Sequence, residues 1–474
     1  MNLCEIFSGA GLCVTLPDCE VTCVTENIDN VTKGSIFVAV SGEHRDGNVY
    51  IEKALEKGAV CIVSEKDSDR REVVRVSDAR LALSLLCSSF YNHSHKKLKI
   101  IGVTGTNGKT TVCEYISYLL RLSGRRCAVL GTLGARSDGH TADTGYTTPT
   151  AEILYKELDS FVNDGCEYCI MEVSSQALAQ KRVDPIRFGL AVFTNIGTDH
   201  LDWHKTAESY LAAKARLVFM SDAVLINADD VNLMTAGECF TGKKYTFSVK
   251  GRYADFSAKD VRYNEKGISY IFFDNKNIIP INIDTSGEYS VYNSLCAFSA
   301  CEILGLSCEL FPEAAKTLPE IKGRMQRISA GGKDVFIDFA HTPQALEAVL
   351  QALRSRGGKI ITVFGCGGDR DKSKRPLMGE VASRLSDAVI LTDDNPRSEP
   401  SSEIIDDILS GIGSKRKVTV EPDRRKAIEK AIKKAKIGDT VLVAGKGHED
   451  FQITGSVKQY FSDELTVREL CGLV

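Results

Sequence analysis

Short apolar runs alternate with longer amphipathic runs along most of the chain. Near the N-terminus, the runs SIFVAV (residues 35–40) and AVCIVS (residues 59–64) flank the helical run VYIEKALEKG (residues 49–58). Runs of four to eight apolar, β-branched residues are typical of strands, and the segment between them has helical spacing. The pattern predicts a small α/β unit over residues 1 to about 95, and the polar stretch HSHKK (residues 93–97) predicts a linker after it.

The same alternation continues beyond that stretch. LKIIGV (residues 98–103) predicts a buried strand, and TVCEYISYLLRLSG (residues 111–124) predicts a helix that ends at a glycine. Further strands are predicted for the runs CAVLG, YCIMEVS, LAVFTNI and AVLIN, with helical runs between them. Alternation of strand and helix indicates a mostly parallel sheet.

A third alternation begins near residue 335. Its predicted strands are the runs VFIDFA, KIITVFG, AVILTDD and TVLVAG, each beside a helical run, so we expect a second doubly wound, Rossmann-like unit with its own core. A chain of 474 residues is too long for a single core. We therefore expect an α/β protein of three domains, residues 1–95, 96–325 and 326–474, with the central domain built on a P-loop-type sheet and the join near GRMQR (residues 323–327).

Composition narrows the class of protein. Apolar residues make up 43% of the chain and charged residues 26%, with a net charge of -4, which is ordinary for a water-soluble protein and gives no general attraction to nucleic acid. No apolar run is long enough for a membrane helix, and the N-terminus lacks the basic start of a signal peptide. These features predict a cytoplasmic protein with neither a nucleic-acid nor a membrane partner. The 16 cysteines are scattered, with one C-x-x-C at Cys166 and Cys169 and no second pair, so we expect reduced, mostly buried thiols.

The stretch GVTGTNGKTT (residues 102–111) lies between the predicted strand and the predicted helix. A glycine turn at a helix N-terminus points backbone N–H groups at an anion. Lys109 adds positive charge for phosphate oxygens, and the Thr110 hydroxyl suits Mg²⁺. Val103 stands at the first glycine position of the strict P-loop pattern, but the flanking strand and helix match the required context, so the loop predicts nucleotide binding.

Polar residues follow the next predicted strands. Glu172 ends one of them, and Asp199 and His200 follow another, at the sheet edge where ligands bind in open α/β sheets. His200 and His204 have the i, i+4 spacing of a zinc pair, but no third soft ligand is evident. Either histidine could instead be a core or capping residue.

Four stretches taken together, GTNGKTT, MEVSS, TNIGTDHLDWH and YLAAKARL, resemble the Mur ligase family, whose three-domain members use ATP to add amino acids to a UDP-muramoyl peptide of the cell wall. The resemblance implies ATP and Mg²⁺ as cofactors, and Lys109, Glu172, His200 and Lys214 as catalytic residues. It implies a Mg²⁺ site at Thr110, Glu172 and His200, and a carbamylated lysine (N6-carboxylysine) at Lys214, which by itself would be taken for a solvated helical lysine. The ATP-binding residues implied are Gly105, Thr106, Asn107, Gly108, Lys109, Thr110, Thr111, Asn293, Arg324 and Asp338.

The resemblance extends over nearly the whole chain and is strongest to the branch that adds the third residue of the peptide. Three stretches carry it, FGCGGDRDKSKRPLMG (residues 364–379), TDDNPRSE (residues 392–399) and AGKGHEDFQ (residues 444–452). The resemblance implies that the chain extends UDP-MurNAc-L-Ala-D-Glu and acts as a monomer. The residues implied for that substrate are Glu43, His44, Arg45, Thr147, Thr148, Ser174, Gln180 and Arg182.

The identity of the incoming amino acid can be argued from the charged groups that it would carry. Diaminopimelate carries a second carboxylate beside its far amine and lysine does not, and a guanidinium grips a carboxylate with two hydrogen bonds. Members that add meso-diaminopimelate have D-N-P-R at this place, which is Asp394–Arg397 here. The residues implied for diaminopimelate are Arg370, Asp394, Asn395, Pro396, Arg397, Gly445 and Glu449.

The sequence departs from the family pattern at a few positions. Asn27, Ile28 and Asp29 replace the usual D-S-R at the uridine end, and Tyr146, Gln176 and Gln326 replace a common asparagine, histidine and glutamate. Three alternatives stay open: a lysine-adding ligase, a folylpolyglutamate synthetase of the same fold, and a P-loop switch that forms no bond. The N-terminal unit disfavours the folate enzyme, and the D-N-P-R motif disfavours lysine.

Overall fold

The computed structural model describes residues 1–42, 46–197, 201–238, 240–264, 267–414 and 417–473. These residues form two compact units. The first contains Met1–Gly105, Ile116–Thr194 and Leu211–Thr246; the second contains Thr106–Tyr115, Asn195–Tyr210 and Phe247–Val474. The division into three domains at residues 95 and 325 stays a prediction.

The N-terminal residues of the first unit form a small parallel sheet with helices beside it. The strand order is β1-β2-β3-β4, and every neighbouring pair is parallel. Val31, Phe37, Ala54 and Ile62 make the core of this sheet and its helix. The elements are α1 (Leu3–Gly9), β1 (Cys23–Thr25), β2 (Ser35–Ala39), α2 (Ile51–Glu56), β3 (Cys61–Ser64), β4 (Val73–Arg75) and α3 (Ala79–Phe90).

The polar stretch predicted as a linker is a 3₁₀ helix, Ser94–Lys97. Ser94 and His95 in it are buried, and Ser94 Oγ donates to Asp159 Oδ1 at 2.5 Å. The stretch is therefore part of the packed first unit rather than a solvated connection.

The larger sheet of the first unit carries the phosphate loop. Seven neighbouring strands of this sheet run in the order β11-β10-β5-β9-β6-β7-β8. Of these, β11, β10, β5, β9 and β6 are mutually parallel, and β7 and β8 are antiparallel additions. All five residues of β6, β9 and β11 are buried, as expected for parallel strands covered on both faces. The elements of this part of the chain are β5 (Lys99–Thr104), α4 (Lys109–Leu122), β6 (Cys127–Gly131), β7 (Gly134–Arg136), β8 (Thr141–Ala142), α5 (Ala151–Asn163), β9 (Tyr168–Glu172), α6 (Ser175–Ala179), β10 (Leu190–Phe193), α7 (Leu201–His204), α8 (Ala207–Phe219), β11 (Ala223–Asn227), α9 (Val231–Ala236) and β12 (Lys243–Ser248).

The second unit adds antiparallel strands that the sequence analysis did not predict. β13 pairs antiparallel with β14, and β14 with β15. Burial alternates along β14, so one face is buried and the other is half-buried. The elements here are β13 (Phe256–Asn264), β14 (Gly267–Phe273), β15 (Ile278–Ile283), α10 (Glu288–Ile303) and α11 (Phe311–Lys316).

The C-terminal residues of the second unit form a six-stranded sheet in the order β16-β17-β21-β18-β19-β20, parallel except for β16. Successive residues of β17 face opposite sides: Phe336 joins the core under α12, α13 and α14, whereas Val335 and Ile337 join the core under α15 and α16. Helices on both faces confirm the predicted doubly wound unit. The elements are β16 (Gln326–Ala330), β17 (Lys333–Asp338), α12 (Pro343–Arg354), β18 (Ile360–Phe364), α13 (Lys374–Leu385), β19 (Ala388–Leu391), α14 (Ser401–Ser410), β20 (Val418–Val420), α15 (Arg424–Lys434), β21 (Thr440–Ala444), β22 (Phe451–Thr454), β23 (Val457–Tyr460) and α16 (Asp463–Leu470).

Two expectations from composition can be compared with these elements. The cysteines of the described residues are free thiols, and Cys61, Cys113 and Cys169 are among the buried ones, as expected for reduced cysteines. Among the described helices, none has the length and apolar character needed to cross a bilayer.

Candidate active site

The phosphate loop connects β5 to α4 as the sequence predicted. Gly105 and Gly108 have φ angles of +147° and +87°, which disfavour any side chain, and α4 begins at Lys109. A Cβ atom at Gly108 would also lie 2.5 Å from Oδ1 of Asn293. The loop therefore needs glycine for its backbone angles and for the close approach of Asn293, one of the residues predicted to bind ATP.

Hydrogen bonds from residues 195–210 hold the loop in shape. Thr106 Oγ1 accepts from Gly197 N at 2.8 Å and lies 3.0 Å from the Tyr210 hydroxyl. Asn107 and Asn195 exchange two hydrogen bonds, each 3.0 Å long. Lys109 Nζ donates to the Thr106 carbonyl at 2.9 Å, which folds the lysine back over the loop where a phosphate would lie.

Arg324 connects this loop with the C-terminal part of the second unit. Its Nη2 lies 3.4 Å from Thr110 Oγ1, its Nη1 lies 3.4 Å from His448 Nδ1, and its guanidinium carbon lies 4.5 Å from the centre of the Phe339 ring. Burial and the neighbouring Arg324 charge lower the pKa of His448 to about 3. The imidazole is therefore neutral at physiological pH, and the arginine is the cation beside Thr110.

Asp338, predicted to bind ATP, is buried at the end of β17. Its two carboxylate oxygens accept from Met325 N at 2.7 Å and Ala340 N at 2.8 Å. Burial raises the pKa of this carboxyl group, and the Arg324 charge acts in the opposite direction. The GRMQR segment is held by the same aspartate, and Gln326, which departs from the family glutamate, accepts from Gly323 N at 3.0 Å.

Glu172 ends β9 and is 1% exposed. Its Oε1 accepts from Thr132 N at 2.7 Å, and its Oε2 accepts from Thr132 Oγ1 at 3.2 Å. A side chain at Gly131 would collide with the carboxylate. A buried acid fixed in one orientation fits the predicted role as a metal ligand, because Mg²⁺ prefers carboxylate and hydroxyl oxygens.

Lys214 lies on α8 and is 2% exposed. Its Nζ donates to the Gly105 carbonyl at 3.0 Å and to Thr104 Oγ1 at 3.4 Å. The alternative that Lys214 lies on a solvated helix face is wrong, because its amine reaches the glycine that opens the phosphate loop. Burial of a lysine is rare in proteins unless its charge has a use or a partner.

Five of the eight residues predicted for the muramoyl dipeptide lie among the described residues: Thr147, Thr148, Ser174, Gln180 and Arg182. Thr148 Oγ1 donates to the Glu172 carbonyl at 2.8 Å and accepts from Ser174 N at 2.9 Å, and Ser174 caps α6. Arg182 donates to the Thr148 carbonyl at 2.7 Å and to Gln180 Oε1. Thr147 Oγ1 lies 3.1 Å from Thr132 Oγ1, beside the Glu172 carboxylate. Tyr146, a departure from the family pattern, places its ring 5.6 Å from the Arg182 guanidinium.

The segment that replaces D-S-R has local structural roles. Asn27 caps a 3₁₀ helix by accepting from Asp29 N at 3.0 Å, and Ile28 packs against the core of the N-terminal sheet. Glu26 N donates to Glu152 Oε1, and burial raises the pKa of both carboxyl groups. The structure thus gives Asn27 and Ile28 capping and packing contacts at the positions where the family pattern has D-S-R.

The amino-acid motifs meet in a buried polar network in the second unit. Asn395 Nδ2 donates to Glu449 Oε2 at 3.0 Å, and Asn395 Oδ1 accepts from Lys446 Nζ at 3.2 Å. Lys446 is 0% exposed and lies 3.4 Å from Glu449 and 3.8 Å from Asp394. Burial and the Asp394 charge raise the pKa of Glu449. The network sets two carboxylates, those of Asp394 and Glu449, against the one ammonium of Lys446, an excess of acid that suits a further ammonium group.

Arg397 lies beside this network in a left-handed backbone conformation, with φ of +52°. Its backbone N donates to the Ile453 carbonyl at 3.0 Å and its carbonyl accepts from Gly455 N at 2.7 Å, so the β22–β23 hairpin holds it. Burial, and then the charge of Arg370, lower the pKa of Arg397. Two guanidinium groups whose charges act on each other favour an anionic ligand, and the role of Arg397 and Arg370 as ligands of a carboxylate stays a prediction. A Cβ atom at Gly445 would lie 2.7 Å from Asp394 Oδ2. Pro396, which precedes Arg397, is buried.

Three buried or half-buried residues of this region were not singled out by the sequence. Lys446 and His448 lie within the recognised AGKGHEDFQ stretch, and their flanking glycines were the available signal. Arg424 forms a fully buried ion pair with Asp463 and also donates to the Ala444 carbonyl at 3.0 Å. Its partner lies 39 residues away, so no local pattern could have revealed it.

Four predicted site residues, Glu43, His44, Arg45 and His200, lie outside the described residues. Asp199 also lies outside them. Of the two histidines with zinc-pair spacing, His204 is described, and it is buried. Within the described part of the chain, the cluster with metal-ligand spacing is Asp274, Glu302 and Cys308, and none of these residues belongs to the site described above.

Comparison with known proteins gives consistent matches over almost the whole chain. The profile of the Mur ligase middle domain matches residues 103–301, and that of the Mur ligase, glutamate ligase domain matches residues 323–447. UDP-N-acetylmuramoyl-L-alanyl-D-glutamate–2,6-diaminopimelate ligase of Clostridioides difficile is 40% identical over 93% of this chain and 92% of its own length. The enzyme with the same name from Aquifex aeolicus is 41% identical over 95% and 93%.

A solved structure of a UDP-N-acetylmuramoyl-L-alanyl-D-glutamate–2,6-diaminopimelate ligase shares the fold, with a TM-score of 0.69 and 32% identity over 95% of each chain. The matches span both the phosphate loop and the amino-acid motifs. The chain belongs to the Mur ligase family.

Proposed function

We propose that this chain is an ATP-dependent ligase that joins meso-diaminopimelate to UDP-MurNAc-L-Ala-D-Glu, forming ADP and phosphate. The names of the relatives support this substrate pair, and so does the pocket around Arg397 and Glu449. The reaction would belong to cytoplasmic peptidoglycan precursor synthesis, and through it to cell wall biogenesis, cell shape and cell division, carried out by a monomer.

The chemistry begins with a carboxylate, which is a poor electrophile until its oxygen becomes a leaving group. The D-Glu side-chain carboxylate attacks the γ-phosphorus of ATP, the bond to the β-phosphate oxygen breaks, and ADP leaves with an acyl phosphate formed. The amine nitrogen of diaminopimelate then attacks the acyl carbon, the carbon–oxygen bond breaks, and phosphate and a proton are released. Each half-reaction moves negative charge onto phosphate oxygens.

Residues in and beside the phosphate loop can stabilise that negative charge. The ammonium of Lys109 and the guanidinium of Arg324 supply fixed positive charge, and the N-terminus of α4 supplies oriented N–H groups. Mg²⁺, which neutralises phosphate charge when bound, would be held by the Thr110 hydroxyl and the Glu172 carboxylate, hard oxygen donors of the kind it prefers, and by His200. A carbamate on Lys214 would convert a buried cation next to the loop into an anion for that site.

The residues proposed to bind the incoming amino acid determine whether diaminopimelate or lysine is used. Glu449, Asn395 and Asp394 suit its amine, and Arg397 with Arg370 suits a carboxylate. None of the described carboxylates forms a salt bridge with Arg397, whose Nη1 donates instead to the Gly368 carbonyl at 2.7 Å. That arrangement is the observation that favours diaminopimelate over lysine, because lysine has no second carboxylate to occupy it.

The test is a phosphate-release assay with ATP, Mg²⁺ and the UDP-muramoyl dipeptide. We expect release to require an added amino acid, and diaminopimelate to exceed lysine by at least about a hundredfold in kcat/KM, as for a lost charge-assisted contact. Preference for lysine would make the chain a lysine ligase, and release independent of any amine would make it a nucleotide switch. Hydroxylamine added in place of the amine should trap the activated carboxylate as a hydroxamate.

A further inference from the structure

A buried ion pair lies behind the amino-acid pocket without being part of it. Arg375, on α13, is 0% exposed, and it grips Glu399 with both ends of its guanidinium: Nη1 to Oε2 at 3.0 Å and Nη2 to Oε1 at 2.9 Å. Nη1 also donates to Asp407 Oδ2, on α14, at 2.8 Å. Two parallel hydrogen bonds fix the angle between the groups as well as their distance.

The same two side chains hold the glycine loop that follows β18. Glu399 Oε1 accepts from Asp369 N at 2.6 Å, and Arg375 Nη2 donates to the Gly367 carbonyl at 3.2 Å. Lys372, from the same loop, lies 3.0 Å from Glu399 Oε2. The Arg375–Glu399 pair therefore ties the loop at residues 367–372 to the segment that follows the D-N-P-R motif.

The loop is seated closely against that motif. Gly368 N donates to the Asn395 carbonyl at 2.9 Å, and a Cβ atom at Gly368 would collide with the Pro396 carbonyl. The Gly368 carbonyl accepts from Arg397 Nη1 at 2.7 Å. The direction of the Arg397 guanidinium thus depends on where this loop lies, and Arg370 is carried by the same loop.

A buried charge pair is expensive to desolvate and is weak evidence for stability by itself. This pair touches two loops of the pocket and reaches no ligand-binding side chain directly. We therefore interpret the Arg375–Glu399 pair as orienting these loops rather than as increasing the free energy of unfolding.

We propose that Arg375 and Glu399 are positioning residues for amino-acid recognition: they seat the residue 367–372 loop so that the Arg397 guanidinium presents two N–H groups to the far carboxylate of the diamino acid. The inference rests on the proposed function. It makes the discrimination between diaminopimelate and lysine depend on a pair that contacts neither amino acid.

The first variant is Glu399→Gln, which keeps the shape of the side chain and removes its charge. We expect KM for diaminopimelate to rise about tenfold, as for a weakened charge-assisted contact, with KM for ATP unchanged. The ratio of kcat/KM for diaminopimelate over lysine should fall by about the same factor, since lysine gains nothing from Arg397. Asp407→Asn is the matched control: it removes a carboxylate from the same arginine without touching the loop, and it should leave that ratio unchanged.

Gly368→Ala displaces the loop by another route and leaves the ion pair intact, so it decides the question if Glu399→Gln does not fold. It should lower the diaminopimelate-to-lysine ratio as well. In an Arg397→Ala background, Glu399→Gln should lower the ratio no further, because the two changes act on one contact.

The proposal is overturned if a folded Glu399→Gln leaves the ratio unchanged or weakens use of both amino acids equally. If that variant does not fold, either of these two results for Gly368→Ala overturns it. A wild-type enzyme that does not prefer diaminopimelate at all would contradict the proposed function instead, so the two failures are separable.

Discussion

At the scale of single residues, the main feature of the site is the burial of charged side chains. Lys214, Glu172 and Lys446 are each almost fully buried, and each contacts another polar group of the site. The family resemblance identified the first two, while the residue pattern around Lys214 favoured an ordinary solvated lysine. Burial could not be predicted there, because it depends on the neighbouring β5 strand and phosphate loop rather than on the helix that carries the residue.

The chemical state of Lys214 can be tested directly. If its amine carries CO₂, enzyme in ¹³C-bicarbonate should give a carbamate NMR signal that is absent in Lys214→Met. The same variant should lose at least about a hundredfold in kcat, because several kcal/mol of charge stabilisation depends on an anion at this place.

Lys99→Arg is the control for this experiment. Lys99 is an exposed lysine at the start of β5, and its replacement should change neither the signal nor the rate. An active wild-type enzyme with no carbamate signal in saturating bicarbonate would contradict the modification.

At the scale of elements, the loop between β5 and α4 is the part most tightly specified. Gly108→Ala places a side chain at φ of +87° and against Asn293. Strain and the collision should together raise KM for ATP at least about tenfold, measured by steady-state kinetics at saturating amino acid.

Gly124, just beyond the other end of α4, separates the two effects. Its φ is +78°, but a Cβ atom there would meet no atom within 4 Å. Gly124→Ala should lower the free energy of unfolding by about 1 kcal/mol and leave KM for ATP unchanged. An equal rise of KM for ATP in both variants would show that the collision with Asn293 contributes nothing and that backbone strain alone causes the defect.

The elements themselves were largely predictable. The apolar runs gave β5, β6, β9, β10 and β11 in the first unit and four strands of the six-stranded sheet, because buried parallel strands are apolar on both faces. The antiparallel strands β13 to β15 were missed. Burial alternates along GISYIFF, but the apolar Ile271 and Phe273 lie on its less buried face and hide that period in the sequence. In the site, motifs located the loops, but ion pairs such as Arg375–Glu399 and Arg424–Asp463 join residues 24 and 39 positions apart, a distance that no local pattern spans.

At the scale of the whole molecule, the predicted boundary near residue 325 can be tested by dissection. The two hydrophobic cores of the six-stranded sheet both include residues of β17: Phe336 in one, Val335 and Ile337 in the other. Every residue of these cores lies between residues 325 and 471. A fragment of residues 326–474 should therefore fold alone, with one cooperative thermal transition by circular dichroism.

A shorter fragment, residues 345–474, is the matched comparison. It lacks β16 and β17 and should show no cooperative transition, because both cores lose their β17 residues. Failure of the longer fragment to fold would mean that this region is not an independent domain.

The left-handed backbone of Arg397 bears on any attempt to improve this enzyme by selection. A non-glycine residue at that φ angle costs of order 1 kcal/mol, and glycine would recover it. Screening for heat resistance alone would thus favour Arg397→Gly. The screen would enrich variants that are more stable but no longer discriminate between diaminopimelate and lysine. Selection for substrate choice has to accompany selection for stability at this position.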